Sequence, residues 1–381
     1  MSKIKLQAAT AFGLEALVGR ELKDLGYNEV EVENGKVAFF TNEEGICRSN
    51  LWVRCADRIS VIIGEFTAKS FEELFQQTKA LPWEEWLPLD ARFPVTGKSV
   101  KSQLHSVPDC QAIVKKAIVE KLKDTYGVSW FEETGSLYAI QVAILKDVVT
   151  LTIDTSGKGL NKRGYRALVG EAPLKETLAA AMVYLSHWKP ERALIDPFCG
   201  TGTIPIEAAF IGQNRAPGLK REFSAELWPS IPGKYWDKAR EEAQDLWKRN
   251  VPLNIYGSDI DGNALRLARI HAKEAGLEER IYFQKLAVKD LRSRFRFGHL
   301  ITNPPYGKRL NEDDEDEVIK LYEELGRVFT ELEDWSLHVL TTLPRPEQFI
   351  GKRWDKSRKL YNGRLECHYY QFFGPRPPKN E

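Results

Sequence analysis

The chain has 381 residues, 43% of them hydrophobic and 29% charged, which is ordinary for a globular protein and more than one core usually holds. The net charge is +1, so overall charge names no partner, although a balanced sum leaves room for a basic face. Five cysteines without a C-x-x-C pair argue against a disulfide framework and a zinc site. The absence of a signal-like or membrane-length apolar run points to a cytoplasmic chain away from any membrane.

The first third reads as mixed α and β. A strand over KIKLQAAT precedes an amphipathic helix, GLEALVGRELKDLGY, with Leu14, Leu17, Leu22 and Leu25 near one face. EVEVENGKVAFFT alternates around Asn34-Gly35, a hairpin signal. Two helices are expected over SFEELFQQTKAL and PDCQAIVKKAIVEKLKDTYG. Two strands joined at Lys146-Asp147 follow. This order implies small α+β units without a parallel sheet.

The pattern changes near residue 156. SGKGLNKRGYR is glycine-rich and basic and reads as a linker. A helix over APLKETLAAAMVYLSHW has Pro173 near its start, where proline is favoured. Strands at RALIDPF, NIYGSDI, RIYFQKLAV and GHLITN then alternate with helices, as does SLHVLTT, so a parallel sheet with right-handed crossovers is expected. Asn362-Gly363 sits between two strand-like runs and predicts a closing antiparallel hairpin. The stretch 215–251, with Trp228, Trp236 and Trp247, has no evident place in that sheet.

Strand ends in such a sheet are where ligands bind. LIDPFCGTGTIPIEAA ends a strand at Asp196 and turns through glycines into a helix, so Asp196, Pro197, Cys199, Gly200, Thr201, Gly202 and Thr203 are expected around a ligand. The loop lacks the G-x-G-x-x-G of dinucleotide binders. Cys199 has no evident base and reads as a wall residue. Asp259, followed by Ile260, can accept from two ribose hydroxyls, while Asp261 can cap the next helix. Asp290 can accept from an adenine amino group or be a surface acid. At the fourth strand end, Asn303-Pro304-Pro305-Tyr306 is a stiff corner, because proline fixes its own φ and restrains its neighbour.

These elements in this order resemble class I S-adenosylmethionine-dependent methyltransferases with an N-P-P-Y motif, which methylate a nitrogen conjugated to a ring or carbonyl. The resemblance implies S-adenosylmethionine as cofactor, and an Asn303 side chain and Pro304 carbonyl that accept the two N–H bonds of an exocyclic amine. Tyr306 would stack on an unpaired base. NKRGYR (161–166), EAPLKETLAAA and RAPGL also resemble the THUMP-containing RNA methyltransferases. That family implies a ferredoxin-like domain at 1–66, a THUMP RNA-binding domain at 67–155, a basic linker at 156–166 and a Rossmann-like methyltransferase domain at 167–381. Within it the chain is most similar to bacterial 23S rRNA guanine-N2-methyltransferases, specifically the methylating half of the longer two-activity enzymes. The third strand departs from the pattern, since KLAVKD offers Leu286 and Ala287 where an early acid is usual. The implied partner is RNA, with rRNA ahead of tRNA, and no stable protein partner is implied. Lys115, Lys116, Lys162, Arg163 and Arg166 are the expected RNA-contacting cations. A tRNA guanine-N2-methyltransferase and a non-catalytic RNA-binding ribosome-assembly factor are the alternatives. The acidic run 311–317 reads as a solvated edge near the corner.

Overall fold

The computed structural model describes residues 3–166, 174–305 and 313–378. The chain forms two compact units, the first comprising residues 1–10, 18–160 and 222–242 and the second residues 11–17, 161–221 and 243–381.

The first unit is built on one seven-stranded sheet. Its strands are β1 (Ile4–Ala9), β2 (Val30–Glu33), β3 (Lys36–Thr41), β4 (Arg58–Thr67), β5 (Val95–Val100), β6 (Ile140–Leu145) and β7 (Val148–Asp154), in the order β2-β3-β1-β4-β7-β6-β5. Only β5 and β6 pair in parallel. The Asn34-Gly35 hairpin joins β2 to β3, with Gly35 at φ +76°. Lys146 (φ +50°) and Asp147 (φ +65°) make the tight turn from β6 to β7, a conformation whose twist matches the flanking strands. The expected domain boundary at 66 falls at the end of β4, through which the sheet is continuous.

Helices follow their end signals. The first is α1 (Glu15–Asp24), then α2 (Glu43–Trp52), capped by the Asn42 side chain, and α3 (Phe71–Lys79), capped by Ser70. Next is α4 (Val107–Tyr126), which stops at Gly127 in the left-handed region. Residues 222–242, assigned to the C-terminal domain by the sequence pattern, cluster with the first unit. The Trp228 ring stacks on Tyr138 at 4.6 Å and its Nε1 donates to the Leu137 carbonyl at 3.0 Å. Phe223 stacks on Trp236 at 5.2 Å. Trp228 and Trp236 are therefore packed within the first unit, which is why 222–242 had no place in the rear sheet, whereas Trp247 belongs to the second unit.

The second unit carries the helices α5 (Glu176–Leu185), α6 (Thr203–Gly212), α8 (Gly262–Ala275), α9 (Asp313–Glu331) and α10 (Glu347–Ile350), while α7 (Gly233–Asp245), between α6 and α8 in the chain, belongs to the first unit up to residue 242. Its strands are β8 (Leu194–Asp196), β9 (Ile255–Asp259), β10 (Ile281–Lys285), β11 (His299–Thr302), β12 (Ser336–Thr341), β13 (Lys356–Asn362) and β14 (Leu365–Phe372). They order as β10-β9-β8-β11-β12-β14-β13, parallel except for β14 and β13. The expected mostly parallel seven-stranded sheet with its antiparallel closing hairpin is present. β8 and β11 are buried on both faces, as parallel strands under helices must be. α5 starts at Glu176, later than the sequence expectation, and Pro173 lies outside the described residues. The end of the acidic run, from residue 313, belongs to α9, and residues 311–312 lie outside the described residues. β10 ends at Lys285, and residues 288–290 form a single 3-10 turn instead of more strand.

Candidate active site

The strand order reverses between β8 and β11, and the crevice beyond their carboxyl ends is the expected ligand position in an open α/β sheet. A cavity of about 370 Å³ lies there, lined by Asp196, Phe198, Cys199, Gly200, Thr201, Thr203, Ile204, Asp261, Asn263, Ala264, Leu267, Leu174 and Asn303. That volume suits a small-molecule ligand.

Asp196 is 1% exposed and anchors the switch point. One of its oxygens accepts from Thr302 Oγ1 at 2.6 Å and from the Phe198 N–H at 3.2 Å, tying the end of β11 to the end of β8. Burial pushes its carboxyl up to about 7, against those two donors, and the charge of Asp259 pushes the same way. A buried acid poised there gains most from a cationic ligand. The loop is shaped by Gly200 (φ +50°) and Gly202 (φ +82°). A Cβ on Gly202 would lie 3.0 Å from Phe283 Cζ and 3.1 Å from Ala268 Cβ, so backbone conformation and space both require glycine. The loop is also tied from outside: Gly200 N–H donates to Asp259 Oδ2 at 2.8 Å, and His271 Nδ1 lies 3.1 Å from the Thr201 carbonyl.

Asp259 uses its other oxygen on the Asp261 N–H at 2.9 Å, and each carboxylate oxygen keeps a second lone-pair direction. Asp261 caps α8 through the Asn263 N–H at 2.8 Å, so the capping role read from sequence holds, and the residue lines the cavity as well. Ile260 is 65% exposed beside Asp259. Pro197, Gly202, Asp259, Ile260 and Asp290 do not line the cavity; Asp290 is an exposed acid on the 288–290 turn. Cys199 is buried, and burial holds its thiol well above the usual range, which suits a wall and not a nucleophile.

The corner after β11 completes the cavity. Asn303 lines it, and its Oδ1 is buried without a hydrogen-bond partner among the described residues. Native structures rarely leave such an acceptor unmet, so it points to a missing donor. Pro304 is buried and Pro305 exposed, while Tyr306 lies outside the described residues. The residues fit S-adenosylmethionine on these observations: Asp196 is a buried acid able to meet its cationic amino-acid end, and Ile204, Ala264 and Leu267 form an apolar wall. Sequence reading missed those apolar positions together with Leu174, Phe198 and Asn263. Ala264 and Leu267 are three apart on α8, an ordinary helix-face signal that does not separate a ligand wall from core.

The basic linker has another role. Arg163 is 3% exposed and pairs side-on with Glu207 of α6, both contacts at 3.2 Å. Arg166 Nη2 donates to Thr203 Oγ1 at 2.6 Å, and its Nε lies 3.4 Å from Glu176. Both arginines were expected to meet RNA. The structure gives them internal carboxylates instead, because α5 and α6 bury acids that need counter-charges. Among the other expected RNA cations, Lys115 is paired with Glu133 at 2.6 Å and lies over the Phe93 ring, whereas Lys116 and Lys162 are exposed.

Comparison with known proteins places this geometry. Residues 163–371 match a family model described as an RMKL-like methyltransferase domain, residues 5–60 an RlmL ferredoxin-like domain, and residues 68–154 a THUMP domain. The chain is 49% identical to a Bacillus subtilis protein named "Putative RNA methyltransferase YpsC", covering all of this chain and 99% of that one. It is 35% identical to the ribosomal RNA large subunit methyltransferase K/L of Syntrophotalea carbinolica over 97% of its own length, spanning 53% of that longer protein. Among solved structures, one from Listeria monocytogenes, described as a predicted N6-adenine-specific DNA methylase, is 52% identical with a TM-score of 0.94, covering 98% of this chain and 97% of that one. A structure described as "SMU.472, a putative methyltransferase complexed with SAH" is 45% identical with the same TM-score, covering 99% of this chain and 100% of that one. An Asp-anchored glycine loop and an Asn-Pro-Pro corner share one crevice, over a sheet that carries the family's sequence from end to end. The chain belongs to the RMKL-like methyltransferase family, in the form that also carries an RlmL ferredoxin-like domain and a THUMP domain.

Proposed function

We propose that this chain methylates the exocyclic N2 of a guanosine in 23S rRNA. The coarser activity follows from the family: S-adenosylmethionine is the donor and RNA the substrate. That the accepting group is an exocyclic amine rests on one observation above others, the Oδ1 of Asn303, buried in the wall of the donor cavity and unpartnered among the described residues.

The chemistry asks for such an acceptor. An exocyclic amine on an aromatic ring is a weak nucleophile, since its lone pair is delocalised. Bound S-adenosylmethionine supplies an electrophilic methyl group. Asn303 Oδ1 and the Pro304 carbonyl accept the two N–H bonds, turn the lone pair toward the methyl and stabilise the positive charge that grows on nitrogen. The methylated nitrogen is then strongly acidic and gives its extra proton to water, so no strong base is required. Thr302, one residue before, holds Asp196, so acceptor corner and donor loop are fixed to each other through a single 2.6 Å hydrogen bond. Exposed Lys116 and Lys162 remain as phosphate contacts. The ribosomal choice is supported by the K/L relative, and RNA as the substrate class by the THUMP match.

The test is methyl transfer from labelled S-adenosylmethionine to unmodified total RNA, followed by nucleoside analysis. N2-methylguanosine in the large rRNA is expected. Asn303→Ala should lower the rate about 10²–10³-fold, the usual loss for one positioned polar group, with donor affinity kept. Label confined to tRNA, or a methylated adenine, would overturn the substrate reading. Unaltered turnover in Asn303→Ala would overturn the mechanism.

A further inference from the structure

A second cavity, of about 740 Å³, lies at the opposite end of the same sheet. It opens where β11 and β12 begin, at His299 and Ser336, and where β14 runs out into Phe373 and Gly374. His299 opens β11 and Asn303 follows its last residue, about 13 Å away by strand rise. This is the end of a parallel sheet that ordinarily holds no ligand.

Its lining is cationic and aromatic. Lys189, Arg192, Lys356 and Arg376 contribute four positive groups, none with a carboxylate partner among the described residues. The lining acids are Glu191 and Asp334, and Asp334 is already held by Arg296 at 2.8 Å. Two of the cations lie against aromatic walls. The Arg192 guanidinium is 5.3 Å from the Phe297 ring centroid, and Lys356 Nζ is 5.9 Å from that of Phe373. The floor is polar as well: His299 Nδ1 lies 3.2 Å from His338 Nε2, and His338 is fully buried with its Nδ1 unpartnered among the described residues. Burial holds His299 down to about 4, so it faces the cavity as a neutral imidazole. Finally, His187 (φ +58°) and Phe297 (φ +55°) both line the cavity in the left-handed region. Bulky residues adopt that conformation at a cost, and the cost recurs at functional sites.

We propose that this cavity is a second nucleotide-binding site, in which a phosphate is met by Lys189, Lys356 and Arg376 and a base lies against the Arg192–Phe297 pair. Cations paired with aromatic faces are the combination that engages both halves of an unpaired nucleotide. Such a nucleotide reaches the cavity either as one unit of a single-stranded RNA segment or as a free nucleoside monophosphate. The first source rests on the RNA-methylating reading above; the second does not.

Binding is measured directly on the full chain, with no methyl transfer involved, using a fluorescein-labelled single-stranded 12-mer oligoribonucleotide and, separately, guanosine monophosphate. The variant is Lys356→Glu with Arg376→Glu, both exposed, and the charge-matched control is Lys248→Glu with Lys273→Glu, exposed positions away from the lining. For the RNA source, oligomer affinity should fall at least about tenfold in the variant and its salt slope by about 0.7, the single-strand value for one phosphate no longer neutralised, with the control and the donor affinity unchanged. For a free nucleotide, guanosine monophosphate should bind wild type and control and be lost in the variant. Equal behaviour of variant and control, or binding of neither probe by wild type, would overturn the site. A wild type that binds in this way but methylates no RNA would leave the site standing and remove the functional reading.

Discussion

Arg163→Met should destabilise the second unit far more than the paired change Arg163→Met with Glu207→Leu. Arg163 and Glu207 are buried to 1% and 0% side-chain exposure, and the guanidinium fork matches the carboxylate at 3.2 Å on both arms. Removing the cation alone leaves Glu207 charged or forces it to take a proton inside the unit. Breaking such a pair typically costs about 3–5 kcal/mol, whereas replacing both partners by apolar groups of similar volume is often near neutral. At about 2–4 °C per kcal/mol for a unit of this size, the single variant should melt roughly 6–20 °C early. The double variant should recover most of that, less the contact from Tyr165 Oη to Glu207 at 3.5 Å. Thermal unfolding followed by near-UV circular dichroism reads the difference. Two additive losses would mean that the carboxylate is not stranded when the arginine goes. A single variant that melts with wild type and instead loses oligoribonucleotide affinity would return Arg163 to the RNA surface, where the sequence placed it.

Three further outcomes are expected. Asp196 has a folded pKa near 7 against an ordinary 3.8, so its contribution to stability is greatest below the lower value and is lost as pH rises toward 7. A cationic donor reverses that preference, so S-adenosylmethionine binding near pH 6.5 should release up to about one proton, measured by calorimetry in buffers of different ionisation enthalpy, and none in Asp196→Asn. Gly202→Ala places a Cβ against Phe283 at a φ of +82°, and should weaken donor binding about tenfold or more by equilibrium dialysis, at about 1–3 kcal/mol of strain. Trp228→Ala removes the Tyr138 stack and the bond to the Leu137 carbonyl; a loss of about 3–5 kcal/mol in the first unit should appear as an early melting phase and faster proteolysis within 222–242.

The elements legible in the sequence were those with local causes. Asn34-Gly35, Lys146-Asp147 and Asn362-Gly363 each mark a turn, and each joins neighbouring strands. Asp196, Gly200 and Asn303 were legible because proline and glycine write backbone constraints into the chain, and the structure brings these three to one cavity. Long-range causes were hidden. Arg163 reads as a surface cation until its counter-charge 44 residues away is known to be buried. The tryptophans of 222–242 belong to a sheet whose strands end by residue 154. Asp290 failed as a cavity residue because β10 stops at Lys285 and the chain turns away in a 3-10 bend. Leu267 and Ile204 carry no mark that separates a ligand wall from core.

The acceptor corner also limits what it can select. In the reading proposed above, Asn303 Oδ1 and the Pro304 carbonyl both offer lone pairs, so a substrate atom held between them brings two N–H bonds. A ring carbonyl would meet two acceptors and leave all three groups unpaired, at about 1–3 kcal/mol for each. An exocyclic amine is therefore preferred over a carbonyl by a wide margin. Guanine N2 and adenine N6 are both exocyclic amines, and the corner treats them alike. Choice of base must come from donors and acceptors that meet the rest of the ring, which neither Asn303 nor Pro304 reaches. Substitutions at the corner should thus change rate without changing the base chosen, and a variant that alters the base should map elsewhere.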